Sequence, residues 1–423
     1  MKKTLLLLAL SVLVAAFAGC GKTGTAAAWD GTIAKAFAGG KGTEKEPYTI
    51  ETPAQLAYLA QEVNAGNDFS GKFVSLTRDL DLNNISWTPI GTGTLFFSGT
   101  FDGGAHTISN LKITTGAKFR FEYTKGRTLP AYSTGLFADC LNAVIKNLSI
   151  KKAEISIDPG YAESNSLYAG IIAGEFKCDT FAGVHNVNVS DAVITVNEFS
   201  GKDLPKNLYA GGIIGTVKAD KDSSFTLENL AADTVFPLEY SRSTTQHSVG
   251  GIIGNTMAYG RFETKNCASY MSVRINPDEF AGIINSFGAF GTVVSATIDT
   301  VSFSDIFSKI SVNKIPPEAD DRYYFSAGAI IGSLYQPNDK SGNDPKGYQF
   351  RNLFGWIKQT ESETGATAKS MRLYDASRSI PSGLDTVTMS EENCHGCETL
   401  PDNCGFDTDI WDISDPSAPK LRW

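Results

Sequence analysis

The chain has 423 residues, 42% of them hydrophobic and 11% aromatic, which is ample apolar content for a large core. Its 46 Asp and Glu outnumber 37 Lys and Arg, and this acidic balance argues against nucleic acid or an anionic lipid surface as the partner. Forty-one Gly against five Met fit a turn-rich β protein better than a helical one.

The N-terminus carries an export signature. Lys2 and Lys3 precede an apolar run, Leu5 to Phe17, that is too short for an ordinary membrane span. The run ends in Phe17-Ala18-Gly19-Cys20, which resembles a bacterial lipobox with Phe17 in place of the usual Leu. The resemblance implies a signal peptide over 1–19, cleavage before Cys20 and acylation of its thiol with palmitate-like chains. Gly21, rather than the Asp associated with inner-membrane retention, implies lipid anchoring at the bacterial outer membrane, with exposure at the cell surface. A plain secretory signal with an incidental Cys is the alternative. Removing Lys2 and Lys3 leaves 35 basic against 46 acidic side chains, a formal charge of −11. Residues 20–45, rich in Gly, Ala, Thr and Lys, read as a flexible tether behind the lipid.

Residues 46–90 read as an N-terminal cap. Thr52 is an N-cap, Pro53 occupies the first helical position and Gln55 completes a capping box. Leu56, Leu59, Ala60 and Val63 form one apolar stripe and Gly66 ends the helix. Such a helix would cover the unpaired strand edges of a first coil. Two short alternating strands follow at Lys72–Leu76 and Leu80–Leu82.

Then a phrase begins to repeat. Gly135-Leu136-Phe137 is followed by Ala169-Gly170-Ile171-Ile172-Ala173-Gly174, Gly211-Gly212-Ile213-Ile214-Gly215 and Gly250-Gly251-Ile252-Ile253-Gly254. Ala281-Gly282-Ile283-Ile284 and Gly328-Ala329-Ile330-Ile331-Gly332 continue it. A step of roughly 30 to 50 residues signals a solenoid whose core is buried between neighbouring copies. A second phrase follows most copies, centred on Asn147, Asn186, Asn229, Asn266 and Asn352, with Asn110 as an earlier relative. These Asn read either as an amide ladder between coils or as ordinary turn residues in the left-handed region. Residues 91–358 are therefore assigned to the solenoid and 359–423 to a C-terminal, Cys-containing cap. The predicted fold class is all-β, a right-handed parallel β-helix with a short N-terminal capping helix. Its tail, Trp411–Trp423, is predicted to close the last coil.

Several of these phrases, taken together, resemble the GLUG-repeat β-helix proteins of bacterial surfaces. Tyr48-Thr49-Ile50 with Leu56, Leu76-Thr77-Arg78-Asp79-Leu80-Asp81-Leu82, Trp87-Thr88-Pro89-Ile90-Gly91 and the run from Phe97 to Ile108 carry the likeness. Ala105 stands where that pattern has glycine. The resemblance spans roughly Tyr48 to Lys358 and implies architecture more than activity, since such repeats occur in adhesins and beside protease domains.

Catalytic constellations are sparse. The sequence has no HExxH and only four His. Asp102 and His106 share a turn in which Asp102 is expected to bond its own backbone. Asp79 and Asp81 fall on one strand face, as an acid–base pair would, or as solvated carboxylates. Asp339 to Asp344 offers oxygen ligands round a Gly but ends without the Glu a calcium loop needs, so a polar loop is the other reading. Cys394, Cys397 and Cys404 are candidates for a local disulfide in an exported protein, with zinc as the alternative. Cys140, Cys178 and Cys267 sit in repeat strands as small buried apolar groups. The three Asp-Thr-Val tripeptides at 233–235, 299–301 and 385–387 resemble a bacterial O-glycosylation acceptor, a short pattern that also arises by chance.

Two long insertions between strands hold Arg and aromatic side chains: Arg120, Tyr123 and Arg127 in the first, Tyr323 and Tyr324 in the second. Such side chains dominate protein-binding hot spots and stack on sugars, unless they pack the loops against the coil. The expectation is a non-enzymatic surface module binding a glycan or protein partner, with membrane contact through the lipid on Cys20, no cofactor, no metal and no nucleic acid. A polysaccharide-degrading β-helix lyase or hydrolase, or a structural spacer, is the alternative.

Overall fold

The computed structural model describes residues 27–114, 132–157, 166–197, 207–238, 246–275, 284–295, 301–312, 324–327, 330–335, 348–359, 394–396, 404 and 406–422. Most of them are strand, with one helix. A thirteen-stranded and a ten-stranded sheet, both parallel, stack into a β-solenoid, and a two-stranded antiparallel pair forms the tail.

One coil shows the plan. Strand Ser166–Gly170 turns at Ile171 and Ile172 into Ala173–Cys178, both in the smaller sheet. After a turn, Phe181–Val196 runs in the larger sheet. The next coil repeats this with Asn207–Gly211, Ile214–Ala219 and Ser224–Leu238, in register as Leu167↔Leu208, Phe176↔Val217 and Val187↔Leu230. Alternate residues along the larger sheet's long strands point inward, so Phe101, Ile145, Val184, Phe225, Phe262 and Phe303 build one continuous interior.

The repeated glycines have steric causes. A Cβ at Gly211 or Gly250 would collide with the carbonyl oxygen of Ile214 or Ile253. A Cβ at Gly215 or Gly254 would lie 2.6 Å from the amide nitrogen of Ala169 or Ala210, so glycine lets the two limbs of the smaller sheet fold against each other.

The Asn phrase serves both expected roles at once. Asn147, Asn186, Asn229, Asn266, Asp305 and Asn352 are all left-handed, with φ between 52° and 57°. The side-chain amides also stack. Asn186 donates to Asn147 at 2.8 Å, Asn229 to Asn186 at 2.8 Å and Asn266 to Asn229 at 3.1 Å. Asp305 interrupts the column, because a carboxylate has no N–H to offer Asn266 Oδ1, which is buried without a partner.

The capping helix spans Pro53–Asn64 and carries the expected box: Gln55 N–H donates to Thr52 Oγ1 at 3.4 Å, and Gln55 Oε1 accepts from the backbone of Thr52 at 3.1 Å. Leu56, Leu59 and Val63 are buried, at about 1.5–3 kcal/mol each. Asn64 fastens the helix end to the following loop through Pro89 O at 3.0 Å and Gly91 N at 2.9 Å.

Two boundaries are corrected. Residues 27–45 are not a loose tether: Trp29 is buried edge-on to Trp87 at 5.6 Å, and Phe37 stacks on Tyr48 at 4.9 Å. Aromatic anchors outweigh the Gly-rich composition around them. The tail does not lie across the last coil. Phe406, Trp411 and Leu421 pack against Ala231, Ala268, Phe307 and Phe354, a strip facing outward across four successive rungs of the larger sheet and separate from the interior core. Tyr270 Oη donates to Pro419 O at 2.8 Å and Lys309 Nζ to Ser417 O at 3.3 Å, fixing the strap in place.

Candidate functional site

The most unusual chemistry sits on the outer side of the smaller sheet, where the sequence offered no expectation. Asp139 and Glu175 face each other on adjacent rungs, with Phe137↔Ala173 and Cys140↔Phe176 setting the register. Both are almost fully buried, at 2% and 3% exposure. Lys218 Nζ lies 2.6 Å from Glu175 Oε1 and Lys177 Nζ 3.0 Å from Oε2. Burial and the charge of Glu175 push Asp139 up to about 7. Burial opposes ionisation of Glu175 as well, but Lys218 and Lys177 outweigh it and hold that carboxyl below its usual range.

Aromatic rings frame the cluster. Tyr168 and Tyr209 stack at 5.6 Å, Lys218 Nζ donates to Tyr168 Oη at 3.3 Å, and Lys177 Nζ sits 4.6 Å from the Phe96 ring centre. Two carboxylates with diverging proton affinities resemble an acid–base pair. Their burial assigns them another task. Asp139 Oδ2 accepts the Gly93 N–H at 2.7 Å, and its backbone oxygen accepts from Phe97 at 3.1 Å, so Asp139 pins the loop after the cap to the first repeat. The available signal was Glu175-Phe176-Lys177, an outward alternation of opposite charges just after the repeat glycine, with Lys218 one copy later in register with Lys177.

The carboxylates singled out from sequence lie elsewhere and are already engaged. Asp79 Oδ1 is 3.2 Å from His106 Nδ1 and accepts the Thr107 N–H at 3.0 Å. Asp81 Oδ1 accepts from Asn110 Nδ2 at 2.7 Å and from Asn83 N at 2.8 Å. Asp102 Oδ1 accepts from Gly104 N at 2.9 Å, the expected turn bond, and also from Asn147 Nδ2 at 3.0 Å. These contacts cap turns and start the amide ladder.

Of the predicted binding side chains, Arg120, Tyr123, Arg127 and Tyr323 lie outside the described residues. The backbone of Tyr324 begins a strand and pairs with Ile284. Cys20 and Cys397, the 339–344 loop, the tripeptide at 385–387, and Asp299 and Thr300 of the tripeptide at 299–301 are also outside. Cys394 starts a short strand paired with Leu353. Cys404 is a buried free thiol, packed with Phe406 and Trp411 as a small apolar group, so the local disulfide does not reach it. Cys140, Cys178 and Cys267 are buried free thiols, as expected. Thr234 is fully buried inside its strand, which removes it as a glycan acceptor.

The topology does bring the insertions together. In each coil the connection from the larger sheet back to the smaller one leaves from the end of a paired strand, at Thr114, Ile157, Val196, Leu238, Ile275 or Val312, and enters at the start of another, Tyr132, Ser166, Asn207, Gln246, Ile284 or Tyr324. The segments 115–131 and 313–323 are therefore both attached along the same edge of the solenoid.

No family model matches the chain, and no solved structure matches it. A Gly-rich membrane protein of Evansella cellulosilytica is 27% identical over 154 residues, 36% of this chain and 15% of that protein. Halomucin of Haloquadratum walsbyi is 27% identical over 218 residues, 48% of this chain and 2% of that protein. The chain thus spans a small fraction of either relative.

Proposed function

We propose that this chain is a lipid-anchored, surface-displayed β-solenoid of GLUG-repeat type that binds a glycan or protein partner and has no catalytic role. The observation that carries the reading is the common edge: the stacked coils place the attachment points of their insertions in one row, the arrangement by which repeat proteins build binding faces. The titratable groups of the acid pair are sealed and tied to the fold, which supports binding over hydrolysis. One of the two relatives is named a membrane protein, which is compatible with attachment at the cell envelope through Cys20.

A glycan and matrix-protein array run on the mature chain tests the reading. Binding is expected, and it should weaken in Arg120→Ala/Tyr123→Ala or in Tyr323→Ala/Tyr324→Ala while Tm stays nearly unchanged. A fall in Tm in either pair would mean that these rings pack the coil instead. Cys20→Ala should release the protein from the membrane fraction, and retention there would count against the anchor. The enzymatic alternative rests on the Asp139–Glu175 pair. Product formation from a polysaccharide panel, abolished by Glu175→Gln, would overturn the binding reading.

A further inference from the structure

The outer face of the larger sheet holds a second surface that the loop edge does not include. Next to the apolar strip under the tail, four in-register positions on successive rungs present Asp233, Tyr270, Lys309 and Trp356. Ser272 and Ser311 flank them one pleat along. Together they line an open cleft of about 350 Å³, at the small end of the range for ligand sites. The column lies a few residues before the strand ends at Leu238, Ile275, Val312 and Gln359, so the cleft adjoins the insertion edge.

We propose that this cleft is a subsite for a neutral saccharide, with the sugar ring seated on Trp356 and its hydroxyls bonded by Asp233, Ser272 and Ser311. Trp356 is half-buried, and its indole nitrogen is shut away from solvent, so what the side chain exposes is ring carbon. Exposed ring carbon beside polar groups suits a pyranose, whose C–H face is apolar and whose rim is hydroxyl. Tyr270 stands two rungs away, about 10 Å at the usual strand spacing, far enough for the site to take more than one sugar unit along the solenoid axis. The charges of the lining, Asp233 and Lys309, are opposite, and Asp191 and Asp415 lie close enough to act on Asp233 and Tyr270, a balance that disfavours polyanions. Tyr270 and Lys309 also hold the tail strap, so one wall is fixed before any ligand arrives.

This inference deepens the binding reading by naming a ligand class, and it stands or falls separately from the loop edge. The test is calorimetric titration of the full mature chain with cellohexaose, maltohexaose, xylohexaose and chitohexaose, with hexagalacturonate as the charged control. At least one neutral hexasaccharide should bind. Trp356→Ala should weaken it about tenfold or more, as loss of an aromatic anchor does. Trp356→Phe should recover part of that loss, and Asp233→Asn should weaken binding severalfold with Tm unchanged. Arg120→Ala/Tyr123→Ala should leave hexasaccharide affinity intact even where it abolishes array binding. If Trp356→Ala lowers Tm, Asp233→Asn decides alone. The proposal is overturned if no neutral hexasaccharide binds at about 10 mM, if hexagalacturonate binds better, or if a folded Trp356 or Asp233 variant keeps full affinity.

Discussion

Asp305→Asn should stabilise this protein, although it discards a charged contact. The side chain is 1% exposed and stands in the amide column between Asn266 and Asn352. It accepts from Asn352 Nδ2 at 2.8 Å and from the Arg351 guanidinium at 3.0 Å. It gives nothing to Asn266 Oδ1, and a buried acceptor left unpaired costs about 1–3 kcal/mol. An amide at 305 keeps the bond from Asn352, supplies the missing donor and removes a buried charge. What is lost is the pair with Arg351, whose side chain is 62% exposed and so contributes only about 0.2–1 kcal/mol. The balance is a gain of about 1–2 kcal/mol, or a rise in Tm of about 1–3 °C for a chain of this length. Calorimetry and urea unfolding of the two chains measure it. Asn229→Asp makes the mirror test: it deprives Asn186 Oδ1 of its donor and buries a charge, so it should lower stability by about 2 kcal/mol or more. A lower Tm for Asp305→Asn, or equal shifts in the same direction for both variants, would refute the idea that donor matching along the column sets its energy.

Ala105→Gly should raise Tm slightly: Ala105 is exposed at φ 60°, a conformation that costs a residue with a Cβ about 1–2 kcal/mol, partly offset by the extra freedom of glycine in the unfolded chain. Asp139→Asn should flatten the pH dependence of stability. A carboxyl raised by folding from 3.8 to about 7 adds stability that is full below its unfolded pKa and fades as pH climbs through the folded one, at up to about 1.4 kcal/mol per pH unit. Urea midpoints between pH 4 and 8 should therefore decline less steeply in the variant, and identical slopes would contradict the assignment. Deleting residues 404–423 should leave the β circular-dichroism signal in place while exposing Phe307 and Phe354, read as new binding of a hydrophobic dye and as self-association. A truncated chain that loses its β signal would mean that the strap is part of the core.

The architecture was legible because it repeats. Gly-Ile-Ile-Gly and the Asn phrase recur where backbone sterics and the left-handed corner demand them, so local residue type and global fold agree at each rung. The capping helix was legible for the same reason, since Thr52, Pro53 and Gln55 act within one turn. What stayed hidden depends on which residues meet across coils. Asp139 and Glu175 are 36 positions apart and become neighbours only through register, and neither belongs to a repeated phrase. Trp29 and Phe37 were obscured by the Gly- and Ala-rich stretch around them, because composition averages over the two side chains that anchor it.

The tail shows the same limit and also what lies behind it. Ala231, Ala268, Phe307 and Phe354 alternate correctly for strands, but alternation cannot say that their side faces outward; an apolar row on the outer face looks in sequence like one more core column. The outward row grows from Ala to Phe along the axis, and it is matched by Phe406, Trp411 and Leu421. The strap thus closes an apolar surface that the last coils create laterally, and it leaves its free margin beside Tyr270, Lys309 and Trp356. A tail folded across the final coil would have protected a sheet edge and left Tyr270 and Lys309 without these bonds. A tail folded along the side instead holds Tyr270 and Lys309, two of the cleft's lining residues, so the element that covers the apolar row also steadies the surface proposed to take a sugar.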